Sequence, residues 1–137
     1  MVYSKTLTFN TQGLSDVIDV TEDVEKVVLG SKIKNGLAVC FVSGSTAGIT
    51  TIEYEPNLIE DFKEIIEKLV PQKNYRHDET WGDANGFSHL RSSLLGPSIS
   101  VPLRNGKLTL GTWQQIILVD FDNRSRKREI QVQVVGE

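Results

Sequence analysis

The segment from Pro56 to Val70 constrains the fold most, because it has the clearest helical periodicity in the chain. Its apolar residues recur at intervals of three and four, and acidic and basic residues fill the positions between them. Pro56 suits the first turn of a helix, and Pro71 follows its end. We therefore predict an amphipathic helix that serves the core and carries no chemistry.

Strand patterns lie on both sides of this helix. Near the start of the chain, Tyr3, Leu7 and Phe9 alternate with polar residues, and the same alternation returns between Lys127 and Val135. Shorter helical patterns follow Thr21, a predicted N-cap, and Asn85. This order predicts an α+β fold with a curled, mostly antiparallel sheet and two to three helices packed on one side.

Composition limits the classes of function. The chain has 137 residues, a formal charge of −3 and one cysteine. This length favours a single domain over residues 1–137, and no apolar run is long enough for a membrane helix. We expect a soluble cytoplasmic protein that does not bind membranes. The mild acidic balance makes nucleic acid an improbable partner, so the basic stretch from Arg124 to Arg128 is interpreted as a solvated hairpin tip.

The single cysteine lies in a continuous apolar run from Leu37 to Val42, which predicts a central strand. A cysteine in such a run is more often a small buried hydrophobic residue than a reactive thiol. We therefore predict a buried, inert Cys40.

The segment from Trp81 to Gly96 has the sequence WGDANGFSHLRSSLLG and is typical of a tight loop that leads into a helix. On a helix from Asn85 to Leu95, the side chains of Phe87, Leu90 and Leu94 would share a face toward the core. A second face would be small and polar and could approach a ligand, a partner subunit or the sheet. It would carry Asn85, His89, Ser92, Ser93 and Gly96.

A divalent metal, zinc or magnesium, is one hypothesis for the chemistry. The chain has two histidines, His77 and His89, and two histidines with a carboxylate form a common ligand set. The carboxylate would come from Asp78, Asp83 or Glu53. No zinc motif is present, so the alternative is two histidines that make ordinary hydrogen bonds.

Phosphate binding is a second hypothesis. The turn from Gly44 to Gly48 could direct backbone N–H groups at an anion, with help from the hydroxyls of Ser45 and Thr46. The start of the helix near Asn85 and the Arg91 guanidinium could contribute. The alternative is a tight turn without a ligand, and no nucleotide-binding motif is present.

Acid–base catalysis and ring stacking are the remaining hypotheses. His89 is the best general acid or base, because an imidazole ordinarily titrates near neutral pH, and Glu53 could be its partner. Trp113 could stack on a planar ring while Gln114 hydrogen-bonds the edge of that ring. The alternative for Trp113 is a large anchor in the core.

Three blocks resemble the YjbQ family of small uncharacterised proteins: GSTAGITTIEYEP, GDANGFSHLRSSLLGPS after a histidine, and NGKLTLGTWQQIILVDFDN followed by R-x-R. The resemblance implies a half-barrel sheet, a homotrimer and thiamine-phosphate-synthase activity, which joins hydroxymethylpyrimidine diphosphate to thiazole phosphate. The glycine-first turn resembles an archaeal or thermophile branch. Many members have a histidine where this chain has Gly44, and another where it has Phe87. The resemblance carries functional positions over to Thr46, Glu53, His77, Asp83, Asn85, His89, Trp113 and Gln114.

The predicted site combines these hypotheses. It is an enzyme site for a phosphorylated small molecule or, alternatively, a trimeric metal- or phosphate-binding module without robust catalysis. Catalysis is predicted for His89, Glu53 and Asn85, substrate binding for Ser45, Thr46, Arg91, Trp113 and Gln114, and metal binding for His77, His89 and Asp83.

Overall fold

A computed structural model describes residues 1–137. The strands are β1 (Val2–Thr11), β2 (Asp16–Asp19), β3 (Gly36–Val42), β4 (Ala47–Ile52), β5 (Ser98–Arg104), β6 (Lys107–Leu108), β7 (Gln115–Asp120) and β8 (Arg126–Gly136). The helices are α1 (Thr21–Ser31), α2 (Pro56–Leu69), α3 (Arg76–Trp81) and α4 (Gly86–Leu95). The predicted α+β fold with a curled, half-barrel antiparallel sheet is confirmed. There are four helices rather than two to three, because the polar segment before Trp81 contains the short helix α3.

The strands form two sheets in which all paired neighbours are antiparallel. The five-stranded sheet has the order β1-β8-β3-β5-β6, and the three-stranded sheet has the order β2-β7-β4. The successive strands β3 and β4 belong to different sheets, so the turn at Gly44–Thr46 carries the chain from one sheet to the other. In the second sheet Ala47 pairs with Asp120 and Ile52 pairs with Gln115.

Strand β7 is buried on both faces. Ile116 and Leu118 join the larger core cluster, which contains the apolar side of α1 and residues of the five-stranded sheet. Ile117 and Val119 join a smaller cluster with Ile59 of α2. The three-stranded sheet is thus a middle layer, which explains why the β7 sequence is continuously apolar rather than alternating.

The predicted helix at Pro56 is confirmed as α2. Glu55 is its N-cap and accepts hydrogen bonds from the N–H groups of Asn57 and Leu58 at 3.1 and 2.7 Å. The predicted N-cap at Thr21 is wrong, because Thr21 is the first residue of α1. Its hydroxyl donates instead to Asp19 Oδ1 at 2.6 Å.

The predicted faces of α4 are partly wrong. Phe87 is fully buried as predicted, but Leu90 and Leu94 are 44% and 69% exposed. The buried face is largely polar because α4 lies close to β4, where the Ser92 hydroxyl donates to the Ala47 carbonyl at 2.5 Å. The predicted close approach of a small polar face to the sheet is confirmed at Ser92.

Cys40 is fully buried, which confirms its prediction as a small core residue. Burial raises the pKa of the Cys40 thiol to about 11. Each of the four helices is too short or too polar to cross a membrane.

Candidate functional site

A buried ionic network joins the end of β7 to the start of β8. Asp120 is fully buried, and its carboxylate accepts hydrogen bonds from Arg128 Nε at 2.7 Å and from Arg128 Nη2 at 2.8 Å. It also accepts a hydrogen bond from the hydroxyl of Thr11. Two nitrogens of the Arg128 guanidinium therefore bind the Asp120 carboxylate in a buried bidentate ion pair.

Asp122 connects this pair to α4 and to the turn between the sheets. Its carboxylate accepts from Arg126 Nε at 2.6 Å, from Asn85 Nδ2 at 3.2 Å and from the Thr46 hydroxyl at 3.3 Å. Burial acts to raise the pKa of Asp122, but hydrogen bonds from the Asn123 N–H, Arg126 and Asn85 outweigh it and lower that pKa. The Asp122 carboxylate is thus ionised at neutral pH and fixes the positions of Asn85 and Thr46.

The turn at Gly44–Thr46 lies against the Arg128 guanidinium. Arg128 Nη2 donates to the Thr46 hydroxyl at 2.6 Å. Ser45 is exposed, and its hydroxyl makes no hydrogen bond within the chain. Two of the predicted phosphate-binding residues are therefore on a turn that is held by a buried arginine.

Two buried polar atoms at the start of α4 have no partner in the chain. They are the side-chain oxygen of Asn85 and the hydroxyl of Ser88, which is fully buried. Unpaired buried polar atoms are rare, because each one has lost its hydrogen bonds to water. The first turn of α4 is therefore where a ligand or an ordered water molecule would gain hydrogen bonds.

The two histidines meet beside this turn. The ring centroids of His77 and His89 are 4.5 Å apart, and the rings are tilted by 44°. They line a cavity of about 460 Å³ with Tyr75, Gly86 and Leu90. His77 Nδ1 is buried without a hydrogen bond and lies 3.8 Å from Asp78 Oδ1, too far for one.

Asp78 occupies the helix start that was predicted to bind phosphate. Its carboxylate accepts from the N–H groups of Tyr75 and Gly86, both at 2.9 Å. These hydrogen bonds, from Tyr75 first and then from Gly86, lower the pKa of Asp78. The N–H of Gly86 is therefore engaged by Asp78 and is not free to donate to a phosphate group.

The predicted metal set of His77, His89 and Asp83 is not assembled within one chain. Asp83 is exposed, and no three of the chain's His, Cys, Asp and Glu side chains are grouped to hold an ion. One chain offers two adjacent imidazoles, fewer than the three protein ligands of a catalytic zinc site. A metal at this pair would need a further ligand from outside the chain.

Arg91 was predicted to bind phosphate, and the structure gives it another role. Its guanidinium is buried and donates from Nε to the Val70 carbonyl at 2.9 Å and from Nη1 to the Ser15 hydroxyl at 3.4 Å. Nη2 forms an ion pair with Glu67. All three nitrogens are thus engaged in holding α4 to the end of α2 and to the segment before β2.

Glu53, Trp113 and Gln114 lie at the other end of β4. Thr46 precedes β4 and Glu53 follows it, so at about 3.4 Å per residue they are separated by roughly 24 Å. Glu53 and Trp113 line a second cavity of about 490 Å³. Within one chain Glu53 is thus not placed as a partner for His89.

Trp113 is 72% exposed, so the alternative of a core anchor is excluded and its indole face is free to stack. The Gln114 side chain is engaged at both ends: it donates to the Thr51 hydroxyl and accepts from the Gly111 N–H, both at 3.0 Å. An edge contact from Gln114 to a ligand would need one of these bonds to open.

The prediction that the basic stretch from Arg124 to Arg128 is a solvated hairpin tip holds for only some of its residues. Arg124 and Lys127 are exposed, whereas Arg128 is buried and Arg126 is paired with Asp122. Sequence reasoning therefore missed Asp120, Asp122 and Arg128. The available signal was the placement of Asp120 directly after the buried run Ile116–Val119, because a charge in a core strand requires a charged partner.

Fold and site together define a small α+β protein built on a curled antiparallel sheet, with a buried ionic network beside a histidine pair. The model of the family described as "UPF0047 protein YjbQ-like" matches residues 5–137. The chain belongs to this family, which confirms the resemblance inferred from its three sequence blocks.

Curated relatives and solved structures agree with this membership. A UPF0047 protein of Archaeoglobus fulgidus is 40% identical over 125 residues, which cover 90% of this chain and 95% of the relative. A crystal structure from Sulfolobus solfataricus, described as a YbjQ-like protein of unknown function, superposes with a TM-score of 0.94 at 36% identity and covers 100% of this chain and 99% of that one. A hypothetical protein from Aeropyrum pernix gives 0.91 at 35% identity, with 98% of each chain covered. Relatives come from thermophiles and mesophiles, so the match is not restricted to a thermophile branch.

Proposed function

We propose that the protein is a small cytoplasmic enzyme of the thiamine-phosphate-synthase type, which condenses hydroxymethylpyrimidine diphosphate with thiazole phosphate. The observation that carries the proposal is the hydrogen-bonded path from the Gly44–Thr46 turn through Asp122 to Asn85. This path ends beside the His77–His89 ring pair. It joins a turn suited to a phosphate group with side chains suited to proton transfer.

In this reaction the thiazole nitrogen attacks the methylene carbon of the pyrimidine substrate. The bond from that carbon to the pyrophosphate oxygen breaks, and pyrophosphate leaves with the bonding electrons. Negative charge develops on the leaving group, so fixed N–H and O–H donors at the Gly44–Thr46 turn would stabilise the transition state. His89 would donate a hydrogen bond to the departing oxygen, and the unpaired oxygen of Asn85 would accept one from the amino group of the pyrimidine.

We further propose that the protein acts as a homotrimer in which Glu53 and Trp113 enter the site from a neighbouring subunit. Within one chain these residues are at the far end of β4, so a second copy offers a direct way to unite the two groups. The exposed side chains of Leu90 and Leu94 lie on the same helix as His89 and provide an apolar surface for that contact. The exposed indole of Trp113 would then stack on the pyrimidine ring.

The direct test is formation of thiamine phosphate from the two substrates by the purified protein, measured for wild type, His89→Ala and Asn85→Ala. Loss of the positioned acid–base group in His89→Ala should lower kcat by about 100-fold or more, and Asn85→Ala should also lower the rate because it removes the acceptor for the pyrimidine amino group. Ser93→Ala is the matched control, because Ser93 is exposed on α4 and should retain wild-type activity. Absence of product with wild type, or equal rates for wild type and His89→Ala, would refute the proposal.

The second candidate function is a trimeric module that binds a metal or a phosphorylated ligand without robust catalysis. The observation that favours it is the lack of a carboxylate partner for His89 within the chain, since Glu53 lies at the opposite end of β4. Binding of hydroxymethylpyrimidine diphosphate or zinc by calorimetry, without turnover, would support this alternative. Rescue of a strain that lacks thiamine-phosphate synthase would exclude it.

A further inference from the structure

Arg128 uses only part of its hydrogen-bonding capacity. Its Nε and Nη2 are committed to Asp120 and Thr46, but Nη1 donates no hydrogen bond within the chain. The residue is 6% exposed, and Nη1 is not among the buried polar atoms that lack a partner, so this nitrogen reaches the surface. A buried arginine thus presents two unpaired N–H bonds at a single accessible point.

The Gly44–Thr46 turn lies over this same nitrogen. A Cβ built on Gly44 would lie 2.9 Å from Arg128 Nη1, so the glycine backbone is close to the guanidinium. The φ angle of Gly44 is +144°, which side chains of other residues rarely adopt. Glycine at this position therefore leaves Nη1 open.

The turn adds backbone donors. The N–H groups of Gly44, Ser45 and Thr46 make no hydrogen bond within the chain. Successive unpaired N–H groups on a glycine-containing turn form a concave anion-binding surface. With the hydroxyl of Ser45 also unpaired, the turn and the guanidinium supply several donors and no acceptor carboxylate of their own.

Rigidity favours anion binding here, and the network carries no net negative charge that would oppose it. The Asp120 carboxylate holds the guanidinium by a bidentate pair, and the Thr46 hydroxyl fixes it from a third direction through Nη2. Asp120 and Asp122 are matched in charge by Arg126 and Arg128, so the network is close to neutral. A preorganised arginine loses little entropy when it binds a tetrahedral oxyanion.

We propose that Arg128 Nη1 and the Gly44–Thr46 turn form the binding site for a phosphate or pyrophosphate group. That the anion belongs to a phosphorylated substrate rests on the proposed function. The anion site itself rests only on the unpaired donors of Arg128 Nη1 and the Gly44–Thr46 turn. Arg128 takes the role that Arg91 was expected to have. It would contact the terminal phosphate directly, while Asp120 acts as a positioning residue behind it.

The test measures binding of inorganic pyrophosphate to the full-length protein by isothermal titration calorimetry at fixed salt. Gly44→Ala places a methyl group against Arg128 Nη1 without changing the charge of the site. Arg128→Lys keeps the positive charge but removes the planar guanidinium and its paired N–H donors. Loss of a charge-assisted hydrogen bond should weaken binding by about 10- to 100-fold in each variant. Arg124→Gln is the matched control, since Arg124 is an exposed arginine without an ion pair and its loss should change the affinity less than about twofold.

The outcomes separate this inference from the proposed function. Absence of pyrophosphate binding by wild type, or wild-type affinity in folded Gly44→Ala, overturns the anion site even if the enzyme is active. Pyrophosphate binding that depends on Gly44 and Arg128 supports the site even if no thiamine phosphate is formed. If Arg128→Lys does not fold, as judged by circular dichroism, the Gly44→Ala result decides.

Discussion

Replacement of Asp120 by alanine should destabilise the protein more than almost any other single change at a carboxylate. The side chains of Asp120 and Arg128 are 0% and 8% exposed, and their closest contact is 2.7 Å. Asp120→Ala would leave the guanidinium buried without its carboxylate and the buried Asp122 N–H without its acceptor. Breaking a buried pair in this way costs about 3–5 kcal/mol, a large share of the roughly 5–15 kcal/mol that stabilises a typical domain.

Urea unfolding followed by far-ultraviolet circular dichroism measures this loss at a fixed protein concentration. With a slope of about 2 kcal/mol per molar urea, the midpoint should fall by roughly 1.5–2.5 M. Glu129→Ala is the matched control, because Glu129 is an exposed carboxylate on the same strand as Arg128 and should change stability by about 0.5 kcal/mol or less. The double variant Asp120→Leu with Arg128→Met should recover most of the loss, because an apolar pair replaces the ions. A loss below about 1 kcal/mol in Asp120→Ala would refute the reasoning.

Three further predictions concern other parts of the molecule. Because folding lowers the pKa of Asp122, its ionised carboxylate stabilises the folded protein fully above the unfolded pKa near 4, and this stabilisation is lost as the pH falls through the folded pKa. The free energy of unfolding of Asp122→Asn should therefore lack that part of the pH dependence in acid. The same decrease of stability with falling pH in wild type and Asp122→Asn would contradict this. Because burial raises the pKa of the Cys40 thiol to about 11, a thiol reagent at pH 8 should label Cys40 only in urea, and rapid labelling of the folded protein would show that the strand opens. In sedimentation velocity, Leu94→Asp should shift a homotrimer toward monomer, because it places a charge on the exposed apolar surface of α4. Lys68→Ala is the control, since Lys68 is exposed on α2 and its replacement should leave the distribution unchanged. An unchanged distribution for Leu94→Asp would show that α4 is not part of the interface.

Local patterns predicted most secondary structure in the chain. The apolar periodicity placed α2, the alternating residues placed β1 and β8, and the continuous apolar run from Leu37 to Val42 placed the central strand β3. These signals work because side-chain burial follows the period of each element. The short helix α3 was missed, since none of its residues is buried and it therefore has no apolar face to read.

The faces of α4 show why a helical pattern can mislead. Sequence reasoning assigned Leu90 and Leu94 to the core by their apolar character, yet both are exposed. The side of α4 that lies against β4 uses Ser92 and a glycine on the strand, Gly48, whose Cβ would come within 2.8 Å of Leu95. Close packing of a helix on a strand selects small residues, so the buried face is less apolar than the exposed one.

The sequence by itself determined the family, the α+β class and the residue types from which a site can be built. Only the tertiary structure decided which of those residues meet, because strand register and the crossing of α4 over β4 set distances between residues remote in the chain. It placed Thr46 and Asn85 on one carboxylate, brought His77 to His89 and separated both groups from Glu53. It also distinguished two arginines: every side-chain nitrogen of Arg91 is hydrogen-bonded within the chain, whereas Nη1 of Arg128 is unpaired beside a glycine turn. A charged side chain acts on a ligand only when its donors are unpaired, and pairing is a property of the folded chain.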